Sequence, residues 1–336
     1  MSVNGVYVQT NEGDGNRVFG FRRGEDGQLS APVVVSTGGR GDDVPHLTSQ
    51  GSLVLTSDGR LLVTNAGSDD ISVLMRGDEP RVVAVVSSGG SAPKSIAEHN
   101  GLVYVLNTGD RSLAGFTLTT DGLVEASDSR RELGAGADPA QVGFTPDGTR
   151  LVVTDRGANA ILVYPVGADG MLGEPSTTRS AGPTPYGFTF ARDATLVVTE
   201  AFGAAKGKAA ASSYRLDSDR AEVVTSSVGN GRSEICWAVP SADGRYVFTT
   251  NFADGAVSRY SVSSEGELVL DDATAAITVD GVPGLRDEDI TVDGRYLYAI
   301  DANGGRVYGW RVDDGDLCPL GSWNGLPTTI AGLAAS

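Results

Sequence analysis

One block of sequence is written seven times along this chain: an apolar run, a turn, a second apolar run, a polar stop and a third run. The second run ends at Asn11, Asn65, Asn107, Asp155, Glu200, Asn251 and Asp301, as in "LLVTN", "LVVTD" and "YLYAID". Successive stops lie 42 to 54 residues apart. That period is too long for ankyrin repeats, and its short β-branched runs suit strands. One four-stranded sheet per block, set as a blade around a common axis, is the architecture this spacing predicts.

The third run repeats too, ending on Phe21, Leu74, Phe116, Tyr164, Tyr214, Tyr260 and Trp310, a large apolar residue where neighbouring blades must pack. Asp58-Gly59, Asp147-Gly148, Asp243-Gly244 and Asp293-Gly294 predict tight hairpins between first and second runs, because Asp-Gly accepts positive φ angles. The chain opens directly on a second run, "VYVQTN", and closes on "PTTIAGLAAS", which reads as a first run without a partner. The C-terminal residues are therefore expected to supply the innermost strand of the first blade and hide the ring's edges. The expected fold is all-β, a seven-bladed propeller forming a single domain over residues 1–336, with no helical periodicity.

Charge narrows the partners. With 43 acidic and 26 basic residues the chain carries a net −17, which repels phosphate backbones and anionic lipid surfaces, so neither nucleic acid nor membrane is expected as a partner. The N-terminus lacks a basic start followed by an apolar segment, and no run reaches about 18 apolar residues, so a soluble cytoplasmic protein is expected. Cys236 and Cys318 are the only cysteines, and His46 and His99 the only histidines. A disulfide framework, a zinc site and any mechanism of several imidazoles are excluded, and no cofactor is expected.

In an antiparallel blade the ends of second strands and the starts of first strands share one face of the disc, so two rings of residues can be listed. The first is the set of stops, whose Asn and Asp side chains commonly bond their own loops. Glu200 stands out, since Glu is a poor turn former and the loop after it, "AFGAAKGKAAA", is long. The second ring, counted from the residue after each entry proline, is Gly51, Lys94, Ala140, Tyr186, Cys236, Arg286 and Thr328. Blade six lacks that proline, which leaves Cys236 open to an error of one. Two readings stand for Lys94 and Arg286: they hold a carboxylate ligand, or they neutralise Glu200, Asp287 and Asp289 in a buried network. The candidate catalytic residues are Glu200 as acid/base, Tyr186 as donor and Arg286 as anion anchor. The candidate substrate-binding residues are Lys94, His46, Gln141, Asp155, Cys236 and Trp237, with Cys236 more readily an apolar core residue than a nucleophile.

The blocks "TPDGTRLVVTDRG", "SADGRYVFTTN" and "TVDGRYLYAID", the "VTE" of blade five and the closing "IAGLAAS" resemble the lactonase family of seven-bladed propellers, among them 6-phosphogluconolactonase and the carboxy-cis,cis-muconate lactonizing enzyme. The resemblance spans the whole chain. It implies a pocket built from a histidine in blade four, an arginine in blade five, a glutamate ending the second strand of blade five and an arginine in blade seven. The glutamate falls on Glu200 and the last arginine on Arg286, while the histidine falls on Ala140 and the blade-five arginine on Tyr186. The implied activity is opening, closing or isomerising a small carboxylated lactone by general acid/base chemistry. Two other functions fit the same sequence: a propeller that binds a ligand or protein without catalysis, and a calcium-assisted hydrolase with Asn65, Asn107, Asp155, Glu200 or Asp301 around an axial ion.

Overall fold

A computed structural model of the chain describes residues 4–44, 50–77, 79–217, 220–279 and 281–336. Its strands form seven sheets, six of them in chain order and the first with the C-terminal strand ahead of the chain's first three. Blade five is typical, running Pro185–Phe190, Leu196–Glu200, Ala210–Asp217 and Arg220–Gly229. Blade three adds a short fifth strand, Arg131–Glu132. The remaining regular pieces among the described residues are single 3-10 turns at Arg192–Ala194, Phe202–Ala204 and Phe252–Asp254. None of the described helices is long and apolar enough to cross a membrane.

The ring closes as expected. Ile330–Ala335 pairs antiparallel with Gly5–Thr10, setting Ala335 opposite Val6 and Leu333 opposite Val8, and Ser336 Oγ caps the Gly5 amide at 2.9 Å. The seven third-strand residues from Phe21 to Trp310 are all buried. Each of the grouped ones packs into the preceding blade, as Phe21 does against Tyr298 and Tyr214 against Val152. Burying each such side chain contributes about 1.5–3 kcal/mol, so the seams between blades hold the disc together.

The Asp-Gly hairpins form by a different device from the one anticipated. Only the glycines are left-handed, with φ of +88°, +70°, +67° and +69° at Gly59, Gly148, Gly244 and Gly294; none of the four aspartates is. Each aspartate instead accepts the hydroxyl of a Thr or Ser two residues earlier, from Thr56, Thr145, Ser241 and Thr291, at 2.6–2.7 Å. The aspartate fixes the turn through its side chain, and glycine alone supplies the backbone freedom.

The first strands leave their inner backbone edge facing the axis, where no further strand can pair. Side chains from other blades fill that role. Gln141 accepts from Phe188 N at 2.7 Å and donates to Phe188 O at 3.1 Å. Gln50 reaches from blade two to blade six, bonding Ala238 N and O at 3.2 and 3.0 Å. Asp287 and Asp289 accept the amides of Leu333 and Ala335 at 3.1 and 2.8 Å. Gly187 makes the approach of blade six possible, because a Cβ there would lie 2.3 Å from the Cys236 carbonyl oxygen.

Three consecutive acids, Asp287 and Glu288 buried and Asp289 half-buried, thus line an axial cavity of about 480 Å³. Burial pushes all three carboxyls up, Asp289 from 3.8 to about 7. An acid whose folded pKa exceeds its unfolded value stabilises the fold while protonated, and loses that contribution as pH rises from about 4 through about 7. Asp289→Asn, neutral throughout, is expected to melt close to the parent at pH 4 and several degrees above it at pH 8. Melting curves with the same gap at both pH values would show that Asp289 does not titrate in this window.

Candidate functional site

Backbone register settles the second ring of residues. Two positions before the residue paired to each second strand's antepenultimate position stand Gly51, Lys94, Ala140, Tyr186, Cys236 and Arg286, so Cys236 is in step despite the missing proline. In blade one the residue is Ile330 rather than Thr328. Thr328 and Thr329 are spent on a turn ahead of the strand, closed by Ile330 N on Pro327 O.

Blades five, six and seven enclose a cavity of about 280 Å³ on this face. Tyr186, Cys236 and Arg286 enter it from the starts of three successive first strands, with Trp237 beside Cys236. Phe252 lines it from the turn after the blade-six stop, and Ala201, Gly203 and Ala204 from the loop after Glu200. Tyr186 and Trp237 meet edge to face at 6.0 Å, and Ala140 packs behind them with Ala201 and Cys236. The walls are chiefly aromatic or small and apolar.

Arg286, Glu234 and Thr184 are the exceptions, and Arg286 is the buried cation among them. It is 3% exposed, its guanidinium lies over the Phe252 ring at 4.6 Å, and Nε and Nη1 find no hydrogen-bond partner among the described residues. Burial lowers its pKa from 12.5 to about 9, with the Asp301 charge opposing the drop, so it stays a cation at neutral pH. Trp237 Nε1 is also buried without a partner. A buried cation whose N–H groups are only partly matched is costly unless an anion with oxygen acceptors arrives.

The neighbouring groups are unsuited to nucleophilic attack. Burial raises the Tyr186 phenol and the Cys236 thiol well above their ordinary values, and the Cys236 thiol donates to Glu234 O at 3.3 Å. A neutral, packed cysteine is inert. The Arg156 guanidinium sits over the Tyr186 ring at 4.9 Å and pairs with Asp138 at 2.7 Å.

Several expected residues lie elsewhere. Lys94 pairs with Asp42 at 3.1 Å rather than with a ligand or with the acids of blade seven. Although burial would lift the Asp42 carboxyl, a hydrogen bond from Asn11 and the Lys94 charge hold it below its usual value. Gln141 is consumed by the Phe188 backbone. Asp155 accepts the amides of Asp138, Gly157 and Ala158, an ordinary loop closure. Glu200 is 0% exposed, with its carboxylate turned into its own blade toward Gly182 N at 2.7 Å, Ser212 Oγ at 2.5 Å and Ser227 Oγ at 2.6 Å. His46 lies outside the described residues. The stops Asn65, Asp155, Glu200 and Asp301 bond within their own surroundings, and among the described residues no three His, Cys, Asp or Glu side chains are grouped to hold a metal ion. Tyr186, Cys236, Trp237 and Arg286 are therefore brought together, while Lys94, Gln141, Asp155 and Glu200 are not.

Three lining residues outside the loop after Glu200 were not anticipated, Thr184, Glu234 and Phe252. Phe252 follows the Asn251 stop, and Glu234 immediately precedes the blade-six first strand. Counting one residue back from each strand start would have found Glu234, since Thr184, its counterpart in blade five, lines the same cavity.

The profile of the family described as "Lactonase, 7-bladed beta-propeller" matches residues 120–201 and 201–327, more than half of the chain. No curated protein matches it in sequence. Among solved structures, a candidate 6-phosphogluconolactonase from Bacteroides fragilis superposes with TM-score 0.78 at 17% identity, covering 99% of this chain and 98% of that one. The Pseudomonas aeruginosa periplasmic gluconolactonase PpgL superposes at 0.72 with 19% identity and 99% coverage of both. At these identities the likeness is one of fold, and it agrees with the blade count and closure seen here. The chain belongs to the lactonase family of seven-bladed β-propellers.

Proposed function

We propose that the cavity between blades five, six and seven binds a small carboxylated lactone, or its ring-opened acid, and catalyses interconversion of the two. The observation that carries this reading is Arg286: a buried guanidinium with two nitrogens unmatched among the described residues, on a residue that lines a largely apolar cavity. A carboxylate or a developing lactone oxyanion is the group such a donor fork accommodates best. The cavity lies at the small end of ligand pockets, which run roughly 300–1,000 Å³, and so suits a single-ring ligand.

The wall chemistry sharpens the substrate class. A polyhydroxylated sugar lactone asks for a partner at every hydroxyl. The aromatic faces of Tyr186, Trp237 and Phe252 offer stacking area instead. A ring with few hydroxyls and one carboxylate matches a lining of one buried cation and three aromatics. Family membership and the gluconolactonase among its structural relatives support lactone chemistry as the general class.

Binding without turnover is the second reading. It draws on Ala140 and Tyr186, which stand where the family resemblance places an imidazole and a guanidinium. Turnover tells the two apart.

Arg286→Met removes the charge while keeping an apolar stem. It is expected to lower kcat/KM for a carboxylated lactone by roughly 10²–10³-fold and to raise the melting temperature by at least about 2 °C, because an uncompensated buried charge is gone. A variant as active as the parent, or one less stable, would remove Arg286 from the anchoring role. Trp237→Phe keeps the wall but deletes the Nε1 donor, and is expected to raise KM roughly 5–30-fold with kcat little changed; an unaltered KM would show that this N–H meets no substrate.

A further inference from the structure

We infer that Glu234 is the acid/base of this site, the role that the strand-stop position Glu200 does not fill. The inference rests on the lactone reading of the cavity and assigns it a residue that touches the reacting water.

Glu234 and Glu200 differ in what their carboxylates do. That of Glu200 is sealed inside blade five and meets one amide and two serine hydroxyls. A carboxylate so engaged would have to break three bonds before it reached a substrate in a cavity that it does not line. Glu234 lines the cavity, is partly exposed, and its carboxylate enters no hydrogen bond or ion pair among the described residues. Its charge is felt by Tyr186 and by Cys236, the two groups at the cavity's inner end.

The backbone that presents Glu234 is fixed from two sides, its carbonyl oxygen accepting Phe252 N at 2.9 Å and the Cys236 thiol at 3.3 Å. Its φ of +55° is shared with Ala92 and Thr184 at the same place in blades three and five, at +49° and +61°. The left-handed turn is therefore shared by blades three, five and six rather than peculiar to Glu234. What is particular to blade six is that this left-handed turn carries an acidic residue, which lines the same cavity as Arg286.

The step balances without any further reagent. The Glu234 carboxylate takes a proton from water as the water oxygen bonds to the lactone carbonyl carbon, and the oxyanion that forms is matched by the buried donors. As the oxyanion collapses, the bond from carbon to ring oxygen breaks. The Glu234 carboxyl then returns its proton to the ring oxygen, leaving a hydroxy acid and the original carboxylate. Ring closure runs the same path in reverse.

The test uses the full-length protein, a panel of carboxylated and uncharged lactones followed by acid release, and the variants E234Q, E200Q and R286M. E234Q is expected to fold as the parent does, to lose roughly 10²-fold or more in kcat with KM changed by less than about threefold, and to lose the acidic limb of the kcat/KM profile against pH. E200Q is expected to melt earlier yet, where folded, to keep more than about a third of kcat. E234Q with near-parental kcat, or with a change in KM alone, overturns the assignment, as does a folded E200Q with no turnover. If R286M is inactive while E234Q is active, only the Glu234 assignment falls. If the parent opens no lactone in the panel, the lactone reading falls and the assignment with it.

Discussion

The ring depends on satisfying the inner backbone edge of each blade. A propeller hides its outer edges by radial repetition, but every first strand still presents amides and carbonyls to the axis, and each one left unmet in a buried place costs about 1–3 kcal/mol. This chain meets the demand with side chains sent between blades. Gln141 brackets Phe188, Gln50 crosses to Ala238, and Asp287 and Asp289 catch the C-terminal strand. The last of these tie ring closure to a buried acid cluster, so the seam where the two ends of the chain meet is also where protonation bears on stability.

That constraint explains why polar residues close to the axis are poor guides to function. Gln141 and Asp155 are polar, buried and on the expected face, yet every described bond they make serves the backbone. Arg286 stands apart because it breaks the rule: among the described residues its Nε and Nη1 serve nothing. Among the described residues Arg156, Arg192 and Arg259 leave only Nε buried without a hydrogen bond, whereas Arg286 leaves both Nε and Nη1, a destabilising arrangement that a ligand can repay.

Much of the architecture was legible from sequence because it is periodic. Seven stops, seven buried third-strand residues and an unpaired terminal run each repeat a physical demand, and the structure answers each at the expected place. The site was legible only in part. Tyr186, Cys236, Trp237 and Arg286 could be found because strand register is additive from blade to blade. Thr328 was misplaced because two residues are spent on a turn, which no strand pattern reports. Glu200 and Lys94 were misdirected for another reason: position on a ring says which face a residue occupies, not which way its side chain turns. Ser212 and Ser227 draw the first outward into its blade, and Asp42 takes the second.

If Glu234 is the acid/base, the site differs from the one the family resemblance implies while the scaffold is the same. Ala140 and Tyr186 remove an imidazole and a guanidinium from the places the family resemblance assigns them, and the vacated volume is filled by packing Tyr186 against Trp237 and Ala140. Arg156, from the loop after the blade-four stop, lays its guanidinium on the outer part of that packing. Blade six brings its own carboxylate through the entry turn at Glu234. Since blades three, five and six enter by a similar left-handed turn, equivalent points around the axis can each carry a different side chain. With Glu234 as the acid/base, the chemistry would sit on an entry turn rather than a strand stop, and the strand stop at Glu200 is a hydrogen-bonded strut within its own blade.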